Sequence, residues 1–548
     1  MEGAGDILIR GQSFIKGALI LTLAGLFVRV IGAGLRIFLA AVMGDEGIGL
    51  YQMAYPIYTT LLAISTAGIP TAISKLVAEN LAHRDFRGAH RVFVISLLIM
   101  TFLGVFFSLF LYFGAEFFGE NIVKDPRAYY PLVSISPAIL IVTILSAFRG
   151  YFQGFQQMTP TAISQIIEQF GRVTVVIALV FLLLPRGLEF AAAGAAFGAV
   201  AGSFLAMLFL LFLFFRNHGE YRRKIKGQVV RRDLSSRQIL YRTMALAIPI
   251  TLGSLVIPLV NLVDLSVVPL RLHEVGYSTE EATALYGQLT GMAGSVIQFP
   301  LIITIALAMS LVPAIAEAQA LRNSLLVRGR TDLAMRFTLF FSIPASFGLF
   351  ILAEPTTFVL FENASAAYPL AAMAFGLIFM SLYTATSGIL QGLGYVLDPV
   401  KYMILGTIVK FILSWILTAD PRLHIGGAAL ATVISFFIAS FLNIRRVSQI
   451  TGWRFNFKEL LFKPLAAALV MSLGVYVIYR AAAGLFEPSF TPRLAQAASL
   501  FLAIFSGMII FALVLFLVGG VREEDLKSVP RLGDTLLKLA RKFNLLRR

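Results

Sequence analysis

The sequence predicts an all-α polytopic membrane protein with about fourteen transmembrane helices, arranged as two parallel six-helix lobes and a C-terminal helix pair. Three observations predict it. The 548 residues are 58% hydrophobic and only 14% charged, where a soluble domain carries about 25% charged residues. The apolar residues come in long blocks, among them Leu97–Tyr112, Ala245–Val263 and Leu494–Val518. A helix needs about 20 such residues to cross a hydrocarbon core of about 30 Å. The 45 Lys and Arg gather on alternate connections, which is the positive-inside pattern.

Taken in order, the apolar blocks place spans near 13–43, 51–74, 92–115, 129–148, 160–184, 191–215, 245–270, 284–316, 337–361, 366–390, 402–418, 425–444, 464–484 and 494–519. The segments Lys75–Arg91, Arg216–Arg242, Arg322–Arg336 and Arg445–Lys463 fall on one side together with both ends of the chain. Both termini are therefore expected in the cytoplasm, and the protein in a bacterial cytoplasmic membrane. The net charge of +16 is a topology signal on this reading, and no nucleic-acid partner is expected. The polar segment Met1–Gln12 runs straight into the first span without a small-residue cleavage site, so no removable signal peptide is expected. There are no cysteines, which excludes disulfides and thiolate chemistry. The five histidines, His83, His90, His218, His273 and His424, are expected in loops, so no metal site is expected. No GxxxxGK[ST] occurs, and neither a nucleotide nor any other cofactor is expected.

An internal repeat supports the two-lobe reading. Thr66–Glu79 at the end of span 2 matches Thr304–Glu317 at the end of span 8, an offset of 304 − 66 = 238 residues. Arg149-Gly-Tyr-Phe-Gln-Gly154 and Ser387-Gly-Ile-Leu-Gln-Gly392 repeat at that same offset, each followed by a proline, Pro160 or Pro399, that opens the next helix. Gly194-Ala-Ala-Phe-Gly and Gly427-Ala-Ala-Leu-Ala begin spans 6 and 12 at a slightly different offset. Six spans separate the copies, an even number, so the two have the same orientation, and repeats of this kind flank a central substrate site. The expected organisation is an N-lobe over 13–216, a basic cytoplasmic loop over 217–244 and a C-lobe over 245–446. A helix pair over 461–519 and an amphipathic tail over 520–548 complete it. In the tail, Leu532, Leu536, Leu539, Phe543 and Leu546 share a face suited to the membrane surface.

Charges inside spans are costly and therefore informative. Arg29 and Arg36 lie two turns apart on one face of span 1, about 10 Å from each other, with Gly32 and Gly34 between them and no acid in the span. Glu168 and Arg172 form an i,i+4 pair in span 5, with Gln165 on the same face. Asn261 and Asp264 share a face of span 7, and Lys410 lies in span 11, the copy of span 5. Arg29, Arg36, Arg172 and Lys410 are the candidate substrate-binding cations. Glu168, Asp264 and Asn261 are candidate coupling or structural partners, and a coupling cation is a candidate ligand for the acids. Lys75, Glu79, Arg149, Glu317 and Lys401, at span ends, read as interfacial anchors. Four cations against two acids favour an anion, and arginine forks suit phosphate. The residues by themselves thus point to an alternating-access carrier of an anionic substrate.

At these residues the chain resembles the multidrug/oligosaccharidyl-lipid/polysaccharide (MOP) exporter superfamily. Within it, the polysaccharide-biosynthesis branch similar to stage V sporulation protein B, related to the lipid II flippases, is the nearest in pattern. The resemblance covers 11–519 and rests on Arg29-Val-Ile-Gly32 with Arg36, Gly44-Asp-Glu-Gly-Ile-Gly-Leu-Tyr-Gln52, Ile69–Ala78, Gly150-Tyr-Phe-Gln-Gly154 and Asn261-Leu-Val-Asp264. It implies a cationic cavity between two lobes, and a final helix pair that grooves a polyprenyl tail. The cargo it implies is an undecaprenyl-pyrophosphate-linked cell-wall precursor, lipid II or a related lipid-linked oligosaccharide, moved to the outer leaflet for peptidoglycan or polysaccharide synthesis, including in sporulation. Departures from the lipid II flippases are specific. Arg36 follows Arg29 by seven residues instead of six, 52–74 contains no arginine, and Ser295 stands near the position of their span-8 arginine.

The main alternative is a cation-coupled multidrug exporter of the same superfamily, which the positive balance disfavours. A membrane glycosyltransferase would need convergent carboxylates or histidines at a membrane surface, and the outer acids Glu274, Glu280 and Glu281 sit in short loops. A passive channel is disfavoured by the repeat and its uneven charges. A transporter, not an enzyme, is expected.

Overall fold

The computed structural model describes residues 14–66, 68–227, 235–486 and 491–527. Every regular element among them is helical and none is a strand. Twelve helical stretches are long and apolar enough to cross a membrane, and a thirteenth is the pair Ala367–Ala374 and Gly376–Gly392, bent by 47°. The first stretch, Ile20–Ala82, has 63 residues, about 95 Å of helix at 1.5 Å per residue, enough to cross twice. That accounts for the expected number.

Several boundaries differ from the expectation. Spans 1 and 2 are not joined by a loop. They are two arms of one helix, Phe14–Thr66, broken only at Gly44, with φ 71° and ψ −172°, a conformation open essentially to glycine. Span 2 breaks again before Ile69–Ala82, where a Cβ on Gly68 would stand 2.0 Å from the Ala247 carbonyl oxygen. Span 7 is two helices, Ser236–Ser254 and Val256–Val275. The expected basic loop over 217–244 is largely helix, because Leu188–Gly227 continues past its apolar part. The same overrun puts His90, His218 and His273 in helices, and His424 begins one, contrary to the loop assignment. The tail leucines and Phe543 lie outside the described residues.

The chain forms two compact units, Met1–Gly287 and Gln288–Arg548. The 238-residue repeat recurs in their internal geometry. Thr66 Oγ1 lies 3.4 Å from Thr143 Oγ1, and Thr304 Oγ1 donates to Ser381 Oγ at 3.1 Å. Ser108 Oγ donates to the Ser136 carbonyl at 2.9 Å, and Ser346 Oγ to that of Ala374 at 2.8 Å. A Cβ on Gly150 would meet the Pro70 carbonyl oxygen at 2.6 Å, and one on Gly388 the Ala308 carbonyl oxygen at 3.0 Å. Asp85 and Asn323 cap the following helices alike, accepting from the amides of Gly88 and Leu326. Left-handed residues also recur in step, Arg84 with Arg322, Lys124 with Glu362 and Gln156 with Gly394.

Each unit has its own core. In the first, Ile73, Phe93, Met100, Leu145, Phe148 and Tyr151 pack together, with the Phe93 ring 4.4 Å from that of Tyr151. At one end of this unit Asp125, almost fully buried, receives Arg127 Nη2 at 2.9 Å and Thr283 Oγ1 at 2.7 Å, while Arg127 Nη1 reaches Glu46 at 2.5 Å. In the second unit, spans 13 and 14, Lys463–Phe486 and Pro492–Leu517, join the core through Met471, Val475, Ala503 and Phe511. A buried ionic cluster fastens the chain just beyond span 14. Arg336 in the helix Ser324–Ile351, 1% exposed, donates to both Asp525 oxygens through Nε (2.8 and 3.1 Å) and to the Gly520 carbonyl through Nη2 at 2.6 Å. Lys463 bridges Glu459 and the Gly519 carbonyl.

Candidate functional site

Spans 1 and 5 run parallel and in register. Phe27 faces Phe170 at 6.1 Å between centroids, and eleven residues further along both helices Phe38 faces Phe181 at 6.0 Å. This register sets Arg29 level with Arg172. Glycine makes the approach close, for a Cβ on Gly32 would lie 3.5 Å from Gln169 Nε2. Arg29 is exposed and Arg36 half-buried. Among the described residues neither guanidinium has an ion pair or a hydrogen bond.

Span 5 turns a polar face of Gln165, Glu168, Gln169 and Arg172 within two turns. Arg172 Nη1 donates to Tyr55 Oη at 3.0 Å, and its Nη2 is 3.5 Å from Glu168 Oε1. The other Glu168 oxygen accepts from Arg149 Nη2 at 2.8 Å, and Arg149 Nε donates to Ser164 Oγ at 2.9 Å. Tyr51, Tyr55 and Tyr58 line the second arm of the first helix, with neighbouring rings 5.3 and 5.7 Å apart. Gln165 Oε1, Gln169 Nε2 and Arg172 Nε are buried and have no hydrogen-bond partner among the described residues. Buried polar atoms are seldom left so, and three on one face mark a surface built to receive a polar ligand.

In the first unit the structure sets Arg29 level with Arg172 and pairs Arg172 with Glu168, while Arg36 lies two turns further along span 1. Asn261, exposed, and Asp264, half-buried, lie on Val256–Val275, which packs on the first helix. Lys410 belongs to the second unit and is wholly enclosed, at 0% exposure. It stands 410 − 172 = 238 residues after Arg172, while the counterparts of Glu168 and Arg149 are Gly406 and Ser387, so the acid-bridged pair has no copy there. Arg149 is no interfacial anchor. It is half-buried and holds the carboxylate more closely than Arg172 does. Sequence reasoning also missed the tyrosine row. Its 51, 55, 58 spacing is the helical signal that could have found it. Among the described residues no group of His, Asp and Glu has the arrangement to hold a metal ion.

Comparison with known proteins extends this picture. Residues 14–319 match the family model described as polysaccharide biosynthesis protein. Stage V sporulation protein B of Bacillus subtilis (strain 168) is 31% identical over 96% of this chain and 99% of its own. Lipid II flippase MurJ of the same organism is 27% identical over 84% of this chain and 87% of its own. The solved structure of lipid II flippase MurJ in an inward closed conformation superposes with a TM-score of 0.66 at 16% identity, covering 91% of this chain and 99% of that one, which shows the fold. Fold and relatives together define the class, a multi-pass membrane transport protein. The chain belongs to the polysaccharide biosynthesis protein family and is similar over nearly its whole length to stage V sporulation protein B.

Proposed function

We propose that this protein is a flippase that carries a polyprenyl-pyrophosphate-linked saccharide, lipid II or a related cell-wall precursor, from the inner to the outer leaflet by alternating access. One observation carries the reading: two guanidiniums inside a span, Arg29 and Arg36, lack any protein acceptor among the described residues and stand beside an under-satisfied polar face. Unpaired cations at membrane depth are expensive and functional by default. Forked donors about 10 Å apart along a helix suit the oxygens of a pyrophosphate and its first sugar. Arg172 adds a third fork. Lys410, enclosed in the second unit, is the further candidate cation of the binding set. Asp264 is the candidate for binding a coupling cation or sensing the membrane potential, with Asn261 beside it. Spans 13 and 14 supply the groove for the polyprenyl tail. The protein works in a bacterial cytoplasmic membrane with both termini in the cytoplasm. The names and coverage of the relatives support this cargo class, and the balance of four candidate cations against two acids inside the spans weighs against a cationic drug.

The test is complementation of a host lacking the protein, with membrane levels checked alongside. Arg29→Lys and Arg36→Lys keep charge but lose the fork. Both should impair transport before they impair expression, and the double alanine variant should be inactive. Full activity of the double alanine variant would remove span 1 from the site, and full activity of the double lysine variant would remove the fork.

A further inference from the structure

Glu168 stands between two arginines of the first unit, Arg149 and Arg172, and its two oxygens are held unequally. Arg149 binds one at 2.8 Å and is itself fixed by Ser164, the length of a strong charge-assisted bond. Arg172 is 3.5 Å from the other, at the outer edge of hydrogen bonding. Arg172 also keeps a buried Nε without an acceptor among the described residues. One arginine anchors the carboxylate, and the other is only loosely engaged by it.

The repeat shows that this arrangement is not needed to build the fold. In the second copy, Gly406 and Ser387 stand at the positions of Glu168 and Arg149, Ser387 accepts from Asn443 Nδ2 at 3.1 Å, and Gly388 and Gly392 still pack against the neighbouring helix as Gly150 and Gly154 do. The acid has been placed in one copy only, the copy that also holds Arg29 and Arg36.

We propose that Glu168 is a resident counter-anion: its carboxylate, anchored by Arg149, occupies Arg172 while the site is empty and competes with the phosphates of the cargo for that guanidinium. This rests on the anion-carrying function proposed above. Arriving phosphate oxygens draw Arg172 away from a long contact at little cost. When the cargo leaves, the carboxylate re-engages the arginine, so the emptied site is not left with an uncompensated charge. A carrier must bind well enough to load and weakly enough to release, and a competing internal anion sets that balance.

The experiment measures binding of inorganic pyrophosphate to the purified full-length protein by calorimetry, in a two-by-two set: wild type, Glu168→Gln, Arg172→Gln and the double variant. Glu168→Gln should tighten binding about five- to tenfold, the lower part of the range for coupled sites. In the Arg172→Gln background the same change should give no gain, because the competition is for Arg172. An equal gain in both backgrounds would mean a general field effect and overturns the proposal, as does no gain in either. If Glu168→Gln does not fold, Glu168→Asp serves instead: the shorter acid withdraws from Arg172 and should give a smaller gain with the same dependence. Wild-type protein whose pyrophosphate affinity is indifferent to Arg29→Ala and Arg36→Ala would instead sink the underlying function. Dependence on those arginines with no effect of Glu168 sinks only the counter-anion.

Discussion

Replacing Asp525 with alanine strips the carboxylate from Arg336, a guanidinium only 1% exposed. Removing one partner of a buried ion pair costs about 3–5 kcal/mol, because the remaining charge stays desolvated without compensation. Two contacts soften the loss here. The Gly520 carbonyl still accepts from Arg336 at 2.6 Å, and Glu459 lies 3.9 Å away. The expected cost therefore falls at the lower end, about 3 kcal/mol. An internal control lies in the same unit: Arg493 pairs with Glu362 where both are largely exposed, at 47% and 62%, so Glu362→Ala should cost under about 1 kcal/mol. Reversible unfolding in mixed micelles would compare the two variants with wild type. Hydrogen exchange over Gly519–Lys527 would show whether the loss is taken up by local release of this segment. An Asp525→Ala variant as stable as Glu362→Ala, with unchanged exchange at 519–527, would refute the argument that this cluster is a desolvated fastening.

Three further outcomes are expected. Gly150→Ala should destabilise by about 1–3 kcal/mol, the usual overpacking cost, and more than Gly388→Ala, since its Cβ would meet a carbonyl oxygen at 2.6 Å instead of 3.0 Å; thermal unfolding of both variants ranks them. Gly44→Ala should cost about 1–3 kcal/mol from backbone strain alone, because nothing stands within 4 Å of the added carbon, whereas Gly34→Ala, equally open but helical, should cost nothing measurable in the same assay. Reporters fused at Gly227 and at Arg548 should read cytoplasmic and one at Tyr277 external, and a cytoplasmic signal from Tyr277 would remove the proposed orientation.

Much of the fold was legible because lipid enforces simple rules. A backbone in hydrocarbon must satisfy itself within helices, so block length and the side on which arginines fall give the spans. The repeat was legible for a related reason: the same helix contacts need the same small residues, and Gly150 with Gly388 and Gly154 with Gly392 keep the chain close at corresponding carbonyls. The unpaired arginines of span 1 were legible from the absence of a nearby acid. Boundaries were less so, because helices continue past the apolar stretch into water, as Leu188–Gly227 does, and hydropathy does not record where a helix ends.

What the sequence by itself determined is the class: helical, polytopic, twofold in construction, with excess positive charge inside the spans. Only the tertiary structure decided which charges meet. Arg149 and Tyr55 are 19 and 117 residues from their partners Glu168 and Arg172, and Arg336 is 189 residues from Asp525. No local spacing encodes such pairs. Equally, Lys410 reads in sequence as the twin of Arg172 but is enclosed in the second unit. The physical reason is that periodicity fixes the face a residue occupies on its own helix, whereas the charge it meets is fixed by how helices distant in the chain pack together.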